Sequence, residues 1–122
     1  MKNILFVFSV LFSLLPFAVS ADQFIEGFED IPLMQGLKQQ ENRNFSFGNE
    51  ESGYTEAVLF AVGYKTFNQV QQFYTDILPK FGWTLRDKTD KALFFTREND
   101  VLEISLQKAK PLQVLVNVKS KN

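Results

Sequence analysis

Carboxylates are the most numerous side chains of this chain that could do chemistry. The 122 residues include 14 Asp and Glu but no Cys and no His. The missing residue types remove thiol nucleophiles, Ser–His and Cys–His catalysis and the common zinc ligands. Two acidic clusters could still offer oxygen ligands to a cation. They are Glu26, Glu29 and Asp30, and Glu98, Asp100 and Glu103. Neither has the spacing or the central Gly of a calcium loop, so we expect solvated turns and no metal.

The candidate catalytic acids, bases and nucleophiles lack the neighbouring residues that would activate them. Glu50 and Glu51 fall in a predicted turn, where nothing would desolvate them or separate their acidities. Ser46, Ser52 and Ser105 lack the surroundings of an activated serine. The six glycines form neither a dinucleotide-binding nor a phosphate-loop pattern. We therefore predict a protein that is not an enzyme and that holds no cofactor.

The charge pattern argues against nucleic-acid binding. With 13 basic and 14 acidic residues the net charge is −1, and no basic stripe is present. The charge is nevertheless uneven: residues 22–56 carry eight acids and two bases, whereas residues 57–122 carry six acids and ten bases. Either these halves present surfaces of opposite sign to a partner, or they attract each other within the fold.

The N-terminus has the layout of a secretory signal. Lys2 is the only charge before Asp22, and residues 4–15 are apolar except for two serines. Small residues follow Pro16, so we predict a signal peptide over residues 1–21, cleaved after Ala21 or Ser20. The alternative is an uncleaved anchor, although the apolar run is short for a bilayer span. We expect a periplasmic or secreted protein with no transmembrane segment after cleavage.

The elements that must position any site follow from periodicity. Residues 22–42 contain Pro32 and no clear period, which predicts an extended N-terminal arm. Alternation predicts a hairpin of strands 44–48 and 54–65, and four further strands over 83–88, 92–97, 101–107 and 113–119. Between them, residues 66–81 have helical spacing, with a Thr66–Gln69 capping box and a stop at Gly82. The predicted fold is α+β: a mostly antiparallel β-β-α-β-β-β-β sheet with one amphipathic helix on one face, forming a single domain over residues 43–122.

The strand segments over residues 57–62 and 92–95 are apolar on both sides. One helix covers only one face of a sheet, so something else must cover the second face. The arm, a partner protein, a second copy of the chain or an apolar ligand could cover the second face, and we expect the arm. The nearly uncharged helix face and the arm suggest a candidate interaction surface. Its residues are Ile31, Leu33, Met34, Leu37, Gln69 and Gln72. A candidate apolar pocket between sheet and helix would be lined by Phe60, Phe73, Tyr74, Trp83 and Phe94.

Several short motifs resemble those of small exported bacterial proteins of uncharacterised function, of an alphaproteobacterial type. They are residues 29–34 with Gly36 and Leu37, Phe73-Tyr74, Leu78-Pro79, Gly82-Trp83, residues 95–98 and residues 102–104. The resemblance covers most of the mature chain and implies an envelope protein in a periplasm. Many such relatives are lipoproteins, whereas this chain lacks the Cys, and the resemblance assigns no catalytic residue.

Together these observations predict an exported, non-enzymatic module that binds a protein partner or associates with the cell envelope. A homodimer is a further option. The alternative function is a carrier of a small apolar or lipid ligand held between sheet and helix.

Overall fold

The computed structural model describes residues 23–41, 45–48 and 53–120. The predicted signal peptide and most of the predicted turn at residues 49–53 lie outside these residues. Within the described ranges, every helix is too short or too polar to cross a bilayer.

The described residues form one antiparallel sheet and one α-helix, which confirms the predicted α+β fold. The strands are β1 (Leu37–Gln39), β2 (Phe45–Gly48), β3 (Gly53–Ala61), β4 (Thr84–Lys88), β5 (Ala92–Arg97), β6 (Asp100–Ala109) and β7 (Leu112–Ser120). Their order across the sheet is β1-β3-β7-β6-β5-β4. β1 and β2 pair with successive parts of the same edge of β3. Short turns join β4 to β7 into the predicted meander, and β7 returns to pair with β3.

Helix α1 (Phe67–Ile77) begins as its sequence predicts, but it ends four residues before the predicted end at residue 81. The Thr66 hydroxyl accepts a hydrogen bond from the Gln69 amide, and the Gln69 side chain accepts one from the Thr66 amide. Two backbone donors that the first turn would leave unpaired are thereby satisfied. A 3₁₀ turn follows over Leu78–Phe81, with Pro79 at its start, and Gly82 ends it at a φ of 90°. Glycine adopts this left-handed conformation without the strain of a Cβ.

Alternation along the strands divides the sheet into two faces. We call inner the face that carries Leu59, Phe95, Ile104 and Val114, which all belong to the buried core. The opposite, outer face carries the alternate residues of the same strands, such as Val58 opposite Leu115 and Phe94 opposite Glu103.

Helix and arm together cover the inner face. The core joins Val70, Tyr74 and Leu78 of the helical segment to Ile25, Phe28 and Ile31 of the arm. The expectation that the arm would lie over the second face is therefore wrong. A helix about 10 Å wide cannot span a sheet of this width, since its strands are about 4.8 Å apart, so the arm fills the remaining inner surface.

The predicted arm and the predicted strand over residues 54–65 both differ from the structure. The predicted arm contains strand β1, whose Leu37 is opposite Ala61. The predicted strand over residues 54–65 ends earlier, at Ala61, because Gly63 turns the chain at a φ of 94°. The residues after Ala61 therefore form a loop that leads into α1.

Candidate interaction surfaces

The predicted interaction surface does not form a single exposed patch. Ile31 and Leu37 lie in the core with only 1% and 4% of their surface exposed. Leu33 and Met34 are partly buried and pack against that core. These four arm residues therefore serve mainly to attach the arm to the inner face.

The two glutamines of the predicted surface are exposed, but both take part in local hydrogen bonds. Gln69 belongs to the helix cap. The Gln72 side-chain amide donates to the Asp76 carboxylate, 3.1 Å away and one helical turn later. The helix face around them is therefore a polar, internally bonded surface.

The residues of the predicted apolar pocket lie on two sides of the sheet. Tyr74 and Trp83 are buried in the core, and Phe73 packs edge-on against Tyr74 with ring centroids 4.8 Å apart. Phe60 and Phe94 are half-buried on the outer face and stand outside the core. Because the sheet separates the two groups, no single cavity is lined by all five residues.

The Tyr74 hydroxyl connects the helix to the arm. It donates a hydrogen bond of 2.8 Å to the Pro32 carbonyl and accepts one of 3.3 Å from the Met34 amide. Burial raises the pKa of this phenol, and the Met34 amide opposes the shift only in part. The group is neutral at physiological pH and acts as a structural link.

Arg97 forms a second link between arm and sheet, beside Phe81 at the C-terminal end of the helical segment. Its guanidinium forms an ion pair with Asp30 and donates to the Phe81 carbonyl over 3.1 Å. The same group lies 4.2 Å from the centroid of the Trp83 ring. The described residues here line a small open pocket of about 160 Å³, and the buried Trp83 Nε1 has no hydrogen-bond partner among them. One of the acidic residues that could have bound a cation is thus engaged by an arginine.

No metal site is evident in the parts of the chain that the structure describes, because no three acidic side chains converge there. Asp30 is paired with Arg97, whereas Glu103 lies on the outer face opposite Phe94. Asp100 of the second cluster also lies 4.0 Å from the Arg97 guanidinium, so one acid of each cluster is engaged by the same arginine.

The outer face has an apolar row and an acidic row side by side. The cross-strand register places Val58, Leu115, Ser105 and Ala92 in one row. The adjacent row consists of Glu56, Asn117, Glu103, Phe94 and Asp87. Val58 and Ala92 are buried but are not part of the core, and Phe94 and Leu115 are half-buried. The sequence analysis predicted the apolar residues that β3 and β5 place on this face, but it missed Leu115 and the acidic row, which only the register brings together.

Two features at the margins of the outer face add to its shape and charge. The Tyr54 hydroxyl donates to the Glu56 carboxylate, and this hydrogen bond is the main cause that raises the pKa of Tyr54 to about 12. Beside β1, Lys38, Phe60, Pro111 and Gln113 help to line a shallow depression of about 580 Å³. The outer face therefore has an apolar recess at one side and carboxylates across its middle.

One end of the sheet carries a groove that the sequence analysis did not predict. Residues 63–67 and the hairpin of β6 and β7 line an open groove of about 460 Å³. We call this region, with Lys65, Lys108 and Lys110, the lysine end. The sequence signal that could have indicated it is the absence of acids from residues 57–75 and 104–120.

Comparison with known protein families, with characterised proteins and with solved structures gave no match for this chain. The surfaces above are therefore interpreted from their own geometry and chemistry.

Proposed function

We propose that this chain is an exported, non-enzymatic module of the cell envelope that binds a protein partner through the outer face of its sheet. The observation that carries the proposal is the arrangement of the outer face, where an apolar row lies against a row with three carboxylates. Apolar side chains bordered by polar and charged groups are the usual make-up of a protein–protein interface.

The chemistry of the two rows defines the partner. Leu115 and Phe94, which are both half-buried, offer an apolar centre. Glu56, Glu103 and Asp87 add negative charge beside it. A matching protein surface would present an apolar or aromatic side chain flanked by Lys or Arg. Such complementarity raises the rate of association and excludes partners with acidic surfaces.

Protein binding is favoured over carriage of an apolar ligand between sheet and helix. Along the middle and the end of the helical segment the side chains fill the space between these layers, since Tyr74, Leu78 and Phe95 have no exposed surface. Phe60 and Phe94 cannot contribute to a cavity there because they lie on the other side of the sheet.

Site-specific photo-crosslinking in native envelopes tests this proposal. A photoreactive phenylalanine analogue at position 94 probes the outer face, and the same analogue at position 69 probes the helix. We expect a defined protein adduct from position 94 that high salt weakens, because exposed charges are screened. Glu56→Lys with Glu103→Lys should remove that adduct, whereas Gln69→Glu with Gln72→Glu should leave it intact. Glu at position 69 can still complete the helix cap.

Other outcomes would contradict the proposal in distinct ways. Adducts from position 69 alone would assign binding to the helix face. An adduct with a second copy of this chain alone would make the outer face a homodimer interface. Adducts that persist in the Glu56→Lys, Glu103→Lys variant would show that the acidic row does not select the partner.

A further inference from the structure

The lysine end carries two apolar side chains that project from the protein. Of the large hydrophobic residues in the described parts of the chain, three are exposed: Phe24, Val62 and Tyr64. Two of these lie on the β3–α1 loop, where Tyr64 is 89% and Val62 is 54% exposed. Gly63 between them has a φ of 94°, and a Cβ added there would meet no atom within 4 Å. The tip of this loop therefore stands free of the fold.

Behind the loop, the walls of the groove are mostly apolar. Phe67 at the start of α1 forms one side, and Leu106, Pro111 and Leu112 of the β6–β7 hairpin form the other. The groove opens to solvent between the loop and the hairpin. An apolar group that approaches this end would thus contact Tyr64 first and could then reach the groove.

The charges around the groove are positive. Lys65 and Lys110 line it, and Lys108 lies two residues away on the same hairpin. The β4–β5 turn, which reaches this end through the hydrogen bond from the Leu106 amide to the Lys91 carbonyl, contributes no net charge. Its charged residues are Asp87, Lys88, Asp90 and Lys91. The lysine end therefore has an excess of positive charge although the whole chain has a net charge of −1.

From this combination we propose that the lysine end docks on the surface of a lipid bilayer that contains anionic lipid. Tyrosine suits the interface between headgroups and hydrocarbon because its ring is apolar and its hydroxyl is polar. Lysines beside it are attracted to anionic headgroups and stay in the aqueous layer. The apolar groups lie at the tip of a loop, surrounded by cations, which fits the layered chemistry of a bilayer surface better than a flat protein interface. This proposal does not depend on the function proposed for the outer face. The two regions meet at Pro111, but Phe94 and the carboxylates of the acidic row do not line the groove.

Co-sedimentation of the purified chain with vesicles tests the proposal. One set of vesicles contains equal parts of phosphatidylglycerol and phosphatidylcholine, and the other contains phosphatidylcholine alone. We expect the protein to sediment with the anionic vesicles at low salt, to be released as salt is raised, and to stay in solution with the neutral vesicles. Lys108→Glu with Lys110→Glu should weaken binding by roughly thirtyfold or more, from the contribution of two lysines near a charged surface. Tyr64→Ser should weaken it as well.

A variant with the same change in net charge provides the control. Lys80 and Lys119 are exposed and lie away from the groove, so Lys80→Glu with Lys119→Glu should reduce binding far less. Equal losses in the two double variants would overturn the proposal, because only overall charge would matter. Equal binding to both sets of vesicles, or none to either, would also overturn it. Retention of a soluble single-chain fatty acid without vesicle binding would instead assign the groove to a free ligand.

Discussion

Phe94 and Phe95 are neighbours in β5, yet they belong to two different environments. Phe95 points to the inner face, has no exposed surface and packs within the core beneath helix and arm. Phe94 points to the outer face, where it is half-buried between Glu103 of β6 and Asp87 of β4. The inner face is covered by the chain's own segments and stabilises the fold. The outer face carries half-buried apolar side chains, among them Phe94 and Leu115, that stand outside the core.

Truncation of the two phenylalanines should produce the largest difference between the faces. Phe95→Ala removes a fully buried ring and leaves a cavity, so we expect it to lower the free energy of unfolding by about 3–5 kcal/mol. Phe94→Ala should cost about 1 kcal/mol, since much of its contact area is already shared with solvent. Urea titrations followed by circular dichroism measure both values. Similar losses for the two variants would mean that the outer face is as well covered in solution as the inner face.

The hydroxyls of Tyr74 and Tyr54 allow the same comparison of inner and outer face for single hydrogen bonds. Tyr74→Phe leaves the buried Pro32 carbonyl and the Met34 amide without their partner, so we expect a loss of about 1–3 kcal/mol. Tyr54→Phe removes a bond to Glu56 near the margin of the outer face, where water can replace the phenol, and should cost less. If denaturant titrations give equal losses of stability for the two variants, the Tyr74 hydroxyl does not stabilise the contact between arm and helix more than a partly buried hydrogen bond would.

The stability of the Tyr74→Phe variant should also depend on pH less strongly than that of the parent protein. Burial raises the pKa of Tyr74 in the folded state above that of an unfolded tyrosine, which is about 10. The folded protein therefore holds this proton more tightly, and the resulting stability is complete below pH 10 or so and declines as the pH rises above it. Tyr74→Phe should lose less stability than the parent between neutral and strongly alkaline pH. Tyr54, whose pKa is also raised, is present in both proteins and cancels in the comparison.

The local elements could be predicted from sequence because their signals are local. The capping box at Thr66, the stop at Gly82 and the polar turns of the β4–β7 meander all depend on residues within a few positions of each other. β1 could not be found in this way, since three residues carry too little periodicity and the strand exists only through pairing with β3. The position of the arm was likewise set by the width of the sheet, which is a property of the assembled fold.

The candidate surfaces could not be predicted from alternation alone, because they also depend on the cross-strand register. In a half-buried strand apolar and polar residues alternate. Phe60 in β3 and Phe94 in β5 depart from this alternation, because their neighbours in the strand are apolar as well. The pairing of β3, β7, β6 and β5 then placed Glu56 and Glu103 in the row of Phe94. These acids are 47 positions apart in the chain, so no local pattern could join them. The lysine end depends in the same way on a loop and a hairpin that are distant in sequence.

The smallest expected difference between the faces concerns their carboxylates. Asp30 lies with Arg97 at the edge of the core, and both side chains are about one third exposed. Asp30→Asn should cost up to about 1 kcal/mol, because solvent screens such a pair and Arg97 keeps its contacts with Phe81 and Trp83. Glu103→Gln on the outer face should change stability by less than about 0.5 kcal/mol. Urea titrations at low and high salt measure both, and the Asp30→Asn effect should shrink with salt. If Glu103→Gln instead destabilises the protein more than Asp30→Asn, the acidic row contributes to folding and is not reserved for a partner.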